Sequence, residues 1–180
     1  PTPVTAFFST VPKFAALIVL VRLLFDAFGN AIVQWQQILV FASIASMLVG
    51  SIAAIGQNNI KRLMAYSSIS HIGFALIGLT AGTSEGLSAL LIYMLIYMIT
   101  NIGVFSFILS MKRDGIYVTD ITALSLYSRV SSARAFCLSI LILSLAGLPP
   151  LVGFFGKLYV FNAAINAGFV WLALTGGIAS

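Results

Sequence analysis

The sequence predicts an all-α fold, a polytopic membrane helix bundle of about six transmembrane segments with one helix broken by proline and glycine. Three observations lead there. Of the 180 residues 61% are hydrophobic and only 7% are charged, whereas a soluble globular domain is about a quarter charged. The mean hydropathy is +1.11, and the apolar runs far exceed the roughly ten residues of a transmembrane barrel strand. Lysine and arginine gather in alternate connections, as the positive-inside rule requires.

The elements follow in order. A first helix is expected over about 4–28, with Lys13 directly after Pro12. A second covers about 36–55, a third 60–80 and a fourth 87–111. The polar connection 112–132 contains Ile116, Val118, Ile121 and Leu124, a pattern for a segment lying along the membrane surface. From Ala133 to Asn166 runs one long apolar stretch interrupted by Leu145-Ala146-Gly147-Leu148-Pro149-Pro150-Leu151-Val152-Gly153-Phe154-Phe155-Gly156-Lys157. As a continuous helix it would be roughly 50 Å long, well over a hydrocarbon core of about 30 Å. It is therefore one broken helix or two spans joined at the proline pair. A last apolar segment covers 169–180. With no self-similar repeat and no low-complexity linker, residues 1–180 read as a single membrane domain. The chain opens without a methionine and stops inside an apolar segment, so it is expected to be part of a longer subunit.

Charge placement orients the helices. Lys61 and Arg62 lie between the second and third, and Lys112, Arg113, Arg129 and Arg134 follow the fourth. Alternating helices put both groups on one side, the cytoplasmic or matrix side. The connections on the other side have only Glu85 and the nearby Asp26. Arg22, Lys61, Arg62 and Arg134 lie close enough to helix ends to snorkel. Arg22 and Asp26, four apart, read as an ion pair.

Lys13 and Lys157 lie deeper. An intramembrane lysine costs about 3 kcal/mol to insert, so its default reading is functional, here proton transfer. The plainer alternative is an ammonium that satisfies carbonyls freed by Pro12, or by the break at Pro149, Pro150 and Gly153. His71 is the only histidine and falls near the middle of the third helix. Ser67 and Ser70 stand four and one residues before it, so the three share a helix face. They line a proton or water path, or His71 is a satisfied packing residue. Tyr93, Tyr97 and Asn101 recur every four residues on the fourth helix, as a water-lined path or as interhelical hydrogen-bond glue.

Other chemistries are excluded. No cysteine or histidine spacing fits zinc or an iron–sulfur cluster, and no glycine-rich loop follows a strand. The four carboxylates do not form a paired mid-membrane site. A net charge of +5, scattered along the chain, does not track nucleic acid. The lone Cys137 allows no internal disulfide.

Four stretches carry a family resemblance: Pro1-Thr2-Pro3-Val4-Thr5-Ala6-Phe7-Phe8; Pro12-Lys13; Ile60-Lys61-Arg62-Leu63-Met64-Ala65-Tyr66-Ser67-Ser68-Ile69-Ser70-His71-Ile72-Gly73; and Ser144 to Lys157. Together they resemble the antiporter-like membrane subunits of respiratory complex I (NADH:quinone oxidoreductase), most closely the N-subunit branch that includes mitochondrial NADH dehydrogenase subunit 2. The resemblance implies a subunit of about fourteen helices in two inverted repeats, each with a broken helix. Residues 1–28 would end the first repeat and 35–180 would form most of the second. Lys13 resembles the central lysine of the family's eighth helix, and Lys157 the lysine of its broken twelfth helix. His71 and the hydroxyl stripes would hydrate the connection between them.

The implied role is proton translocation driven by quinone reduction elsewhere in the complex, in a chain that is a subunit of an enzyme without a redox site of its own. NADH, flavin, iron–sulfur clusters and quinone are expected in other subunits. The implied partners are the other membrane-arm subunits, the preceding part of this subunit and the lipid of a bacterial plasma or mitochondrial inner membrane. Sister subunits usually carry histidines and a lysine where this chain has Tyr93, Tyr97 and Asn101, and one has glutamate where Lys157 stands. Both differences favour the N branch. The family's fifth-helix glutamate and seventh-helix lysine would lie upstream of Pro1, so this stretch alone is not expected to pump. Two alternatives remain open: a subunit of a multi-subunit cation/proton antiporter, and a structural membrane piece whose lysines do not transport.

Overall fold

The computed structural model describes residues 2–113, 116–117, 119–122, 124 and 131–180. Helix α1 spans Thr2–Arg22 and passes into a π-helical turn, Leu23–Ala27. A 3-10 turn, Gly29–Ala31, leads to α2, Ile32–Ile55. Then come α3, Ile60–Thr80, and α4, Ser84–Ser110. A ladder of two short antiparallel strands follows, β1 (Lys112–Arg113) and β2 (Ile116–Tyr117). The chain closes with α5, Ser132–Ala146, α6, Val152–Asn166, and α7, Val170–Ala179.

Local chemistry sets several of these ends. Asn59 caps α3, its Oδ1 accepting from the backbone N–H groups of Lys61 at 3.0 Å and Arg62 at 3.4 Å. Thr83 caps α4, its hydroxyl accepting from Gly86 N–H at 3.1 Å. At the end of α5, Gly147 takes φ +84°, a left-handed conformation that costs glycine little. The Leu148 N–H then reaches back to Leu143 O at 3.2 Å, closing the helix in the Schellman manner. The cis Pro149–Pro150 bond follows. Lacking backbone N–H groups, these prolines cannot continue the helix.

Four stretches are long and apolar enough to cross a membrane: Pro3–Ala27, Gly29–Ile55, Ile60–Thr80 and Ser84–Ser110. Helices α5 and α7 are apolar but shorter. Large apolar side chains point outward: on α2 alone, Ile38 is 68%, Phe41 75% and Ile52 68% exposed. Ser9, Ser43, Ser68, Ser70, Ser144, Thr10, Thr80, Thr100, His71, Asn101 and Lys157 are buried. Apolar outside and polar inside is the arrangement a bilayer favours, because only the protein interior supplies hydrogen-bond partners.

Helix α3 is central. Its whole second half, Gly73 to Thr80, is buried, and it packs against α1, α2, α4, α6 and α7. Close approach to α2 depends on missing side chains. A Cβ on Gly50 would stand 2.5 Å from Ser70 N, and one on Gly73 2.6 Å from Met47 Cγ and 2.8 Å from Ser43 O. The gap at Gly73 also lets the Ser43 hydroxyl donate to Gly73 O at 2.8 Å.

The connection after α4 contains the β1–β2 ladder, and its Ile121 and Leu124 pack against the core. Ile60 N–H donates to Thr119 O at 2.9 Å and Ile121 N–H to Asn58 O at 3.0 Å, which ties this connection to the start of α3. The two basic connections thus share one end of the bundle. Val118 and Arg129 lie outside the described residues. The Arg22–Asp26 ion pair is not formed, because the chain enters a π turn there and loses the α-helical spacing that stacks residues four apart. The second and fourth helices begin earlier than read, at Ile32 and Ser84.

A side chain at Gly73 should separate α2 from α3. Gly73→Val is expected to cost about 1–3 kcal/mol, as overpacking does, and to lower the apparent melting temperature in detergent. Gly177→Ala, where nothing lies within 4 Å, should leave it unchanged or slightly raised.

Candidate proton-transfer site

Two lysines, one from each side of α3, point into the bundle. Lys13 is half-buried, and its ammonium donates to Ser68 Oγ on α3 at 2.5 Å. Ser68 is buried, and its hydroxyl donates to Ala65 O at 2.6 Å. Lys13 therefore bonds across the helix interface, not to the carbonyls that Pro12 frees. Helix α1 runs unbroken through that proline. The Tyr97 side chain on α4 also faces Ser68.

Lys157, on the first turns of α6, is 6% exposed. Its ammonium donates to Ala146 O at 2.9 Å and to Ser180 Oγ at 2.5 Å, and stands 4.7 Å from the centroid of the Phe74 ring. The turn between α5 and α6 creates this pocket. Gly147 lies directly against the lysine, where a Cβ would be 2.9 Å from its Cδ. Gly153 N–H donates to Ser144 Oγ at 3.2 Å, pinning the start of α6 to the end of α5. Gly156 lets α6 approach Tyr93, with a Cβ there only 3.1 Å from Tyr93 Cδ2.

Between the lysines lies an aromatic cluster. His71 Nδ1 and the Tyr93 hydroxyl are 2.6 Å apart. The His71 ring is 4.8 Å from that of Tyr97 and 6.3 Å from that of Phe74. The series Lys13, Ser68, Tyr97, His71, Tyr93, Phe74, Lys157 thus crosses the interior of the bundle. A cavity of about 450 Å³ adjoins its Lys157 half. Ser67, Ser70, His71, Phe74, Ala146 and Lys157 line it, and Ile60, Ile121 and Leu124 extend it to the end bearing Lys61.

The structure therefore gathers most residues singled out from sequence. Ser67, Ser70 and His71 share the cavity, and Ser70 packs tightly on Gly50 as well. Tyr93 and Tyr97 flank His71. Asn101 stands apart from the histidine and binds Ser9 on α1, its Nδ2 donating to Ser9 Oγ at 3.0 Å. Pro149, Pro150 and Gly153 form the junction between α5 and α6. Sequence reading missed Ser68, the direct partner of Lys13, along with Ser9 and Phe74. Helical spacing admits Ser68, three residues before His71, as readily as Ser67, four before it, and does not choose between them. Only its placement opposite Lys13 reveals it.

Comparison with known proteins follows from the same residues. The family described as NADH:quinone oxidoreductase/Mrp antiporter, TM, matches residues 1–180. The "NADH-quinone oxidoreductase subunit N" of Jannaschia sp. (strain CCS1) is 56% identical over 180 residues, all of this chain and 37% of that protein. The protein of the same name from Rhodobacter capsulatus is 55% identical, with 100% and 38% covered. The chain thus spans little more than a third of the length of these relatives. Among solved structures, respiratory complex I from Thermus thermophilus with bound NADH contains a chain that superposes with a TM-score of 0.73 at 29% identity, covering 82% of this chain and 31% of that one.

If Ser68 holds the Lys13 ammonium, the two side chains should be energetically coupled. Ser68→Ala is expected to cost about 1.5–3 kcal/mol, the range for a hydrogen bond to a charged group. It should cost distinctly less in a Lys13→Met background. A double-mutant cycle read by denaturation in detergent measures the difference. Ser67→Ala should show no such coupling.

Proposed function

The chain belongs to the NADH:quinone oxidoreductase/Mrp antiporter transmembrane family, and on that premise we propose that it is the later part of an N subunit of a bacterial-type respiratory complex I, where it moves protons through buried lysines. The observation that carries this reading is the interior run of Lys13, hydroxyls and the His71 imidazole, which shares a cavity with Lys157, inside an apolar shell. Hydroxyls, an imidazole and ammonium groups are the side chains that pass protons, alone or through water between them.

In this reading a charge change elsewhere in the assembly alters how firmly Lys13 holds its proton. The proton then passes through Ser68, Tyr97 and the His71–Tyr93 pair, with water in the adjoining cavity, and Lys157 exchanges it onward. Helices α5 and α6 act as one broken membrane helix, which with α1–α4 and α7 gives six segments. Residues 1–28 belong to the first inverted repeat and 35–180 to the second. The ends bearing Lys61, Arg62, Lys112 and Arg113 face the cytoplasm or matrix. NADH, flavin, iron–sulfur clusters and quinone belong to other subunits, and the partners of this chain are membrane-arm subunits and lipid.

One contact favours a second reading. Lys157 donates to Ala146 O in the last turn of α5, a carbonyl left open by the helix end, as a purely structural lysine would. The two readings separate on Lys157→Ala in the intact subunit. Proton translocation coupled to quinone reduction should fall severalfold in membrane vesicles while the assembly still forms. Normal pumping by a normally assembled complex would sink the transport role, and poor assembly with normal pumping would establish the structural one. A cation/proton antiporter subunit would instead purify without NADH-oxidising activity.

A further inference from the structure

The turn between α5 and α6 ends one helix and starts another inside the bundle, and each end leaves backbone groups that need partners. Leu151, the residue that opens α6, makes no side-chain cap. A polar group from elsewhere has to serve. Ser144 does so from the other half of the break, its Oγ accepting from Gly153 N–H at 3.2 Å. Gly153 is the second residue of α6, and an oxygen on the second or third N–H is what a helix N-cap supplies. Ser139, also on α5, shows the commoner use of a helical hydroxyl: it turns back and donates to Ala135 O at 2.9 Å. Ser144 is buried and reaches forward instead.

The opposite end is treated alike. Ala146 O is one of the carbonyls that the end of α5 leaves open, and the Lys157 ammonium, from α6, donates to it at 2.9 Å. Each half of the break therefore caps the other. On α6 the two capping positions, Gly153 and Lys157, are four apart and share a face. On α5, Ser144 and Ala146 both lie in the last turn. A Cβ on Gly153 would overlap Ser144 O, so the two backbones meet there with nothing between them. A lysine alone has a flexible stem and can carry its ammonium to many places. Here that freedom is taken up. Helix α6 is fixed against α5 one turn before the lysine, and Gly147 makes room for the stem.

We infer that Ser144 is a positioning residue for Lys157. By capping α6 from α5, it sets how far the Lys157 backbone stands from Ala146 O, and so where the ammonium lies beside Phe74 and the cavity. The two caps act as one latch across the break. This role rests on the proton-transfer reading of Lys157.

The test uses the intact respiratory assembly and reads proton translocation coupled to quinone reduction per assembled complex, a quantity that poorer assembly does not move. Ser144→Ala should reduce it about twofold or more, because small misplacements of a transferring group are costly. Ser144→Thr keeps the accepting oxygen and should return it to near the wild-type value, and Ser139→Ala should match the wild type. In a Lys157→Ala background, Ser144→Ala should have no further effect. Wild-type pumping by Ser144→Ala beside a defective Lys157→Ala would overturn the positioning role and leave the proposed function intact. A further loss in the Lys157→Ala background would overturn it as well, since Ser144 would then act by another route. Wild-type pumping by Lys157→Ala would instead remove the proton-transfer reading, and the positioning role with it. Should Ser144→Ala not assemble, Ser144→Cys decides by the same readings, its thiol being a weak acceptor.

Discussion

An ammonium group inside a helix bundle needs hydrogen-bond acceptors, and lipid supplies none. That constraint organises this molecule. Lys13 finds a serine hydroxyl, and Lys157 finds a helix-end carbonyl, a hydroxyl and an aromatic face. All but one of these groups lie on α3 or beside the junction of α5 with α6. The bundle is consequently polar within and apolar without, and its most buried helix is the one with the serines and the histidine. The same sequence feature, a hydroxyl-rich stretch in an otherwise apolar helix, sets both the place of α3 at the centre and the chemistry available there.

Close packing converts those contacts into a defined geometry. Glycines 50 and 73 bring the α2 backbone against α3, and Gly78 and Gly86 do the same between α3 and α4. With the helices this near, Ser43 can bond the backbone of α3, and the hydroxyls of Tyr93 and Tyr97 reach α3 and α1. Small residues at crossings are the general means of association between helices in lipid, where van der Waals contact and interhelical hydrogen bonds replace the hydrophobic effect. Here they also fix the distances over which protons would travel. Packing and function are not separable layers at this site.

Much of this was legible in the sequence because lipid imposes simple rules. The bounds of α3 coincide with those read from its apolar run and its polar flanks, and the interruption after Ala146 was visible as Gly147, Pro149 and Pro150. Lys13, Lys157 and His71 stood out because ionisable groups are expensive in such runs. What was hidden depends on other parts of the chain. Ser68 is unremarkable until α1 lies beside it. Phe74 looks like any core aromatic until Lys157 is placed over its ring. The π turn after Arg22 defeated a pairing inferred from α-helical spacing, since that inference assumes the geometry it needs. The short β ladder was missed although the Asp114-Gly115 dipeptide is a sequence signal for a tight hairpin.

The kind of partner each lysine has bears directly on whether it can release a proton. Among the described residues neither Lys13 nor Lys157 is paired with a carboxylate, and their partners are hydroxyls, a carbonyl and a π face. A buried ion pair would hold an ammonium charged, because removing its proton would strand the opposing carboxylate without a partner. Neutral acceptors impose no such penalty. A neutral amine can still donate to a carbonyl or a hydroxyl, and can also accept from a hydroxyl or a water. Each site therefore retains satisfactory hydrogen bonding in both protonation states. The balance between those states is then open to small changes in nearby charge.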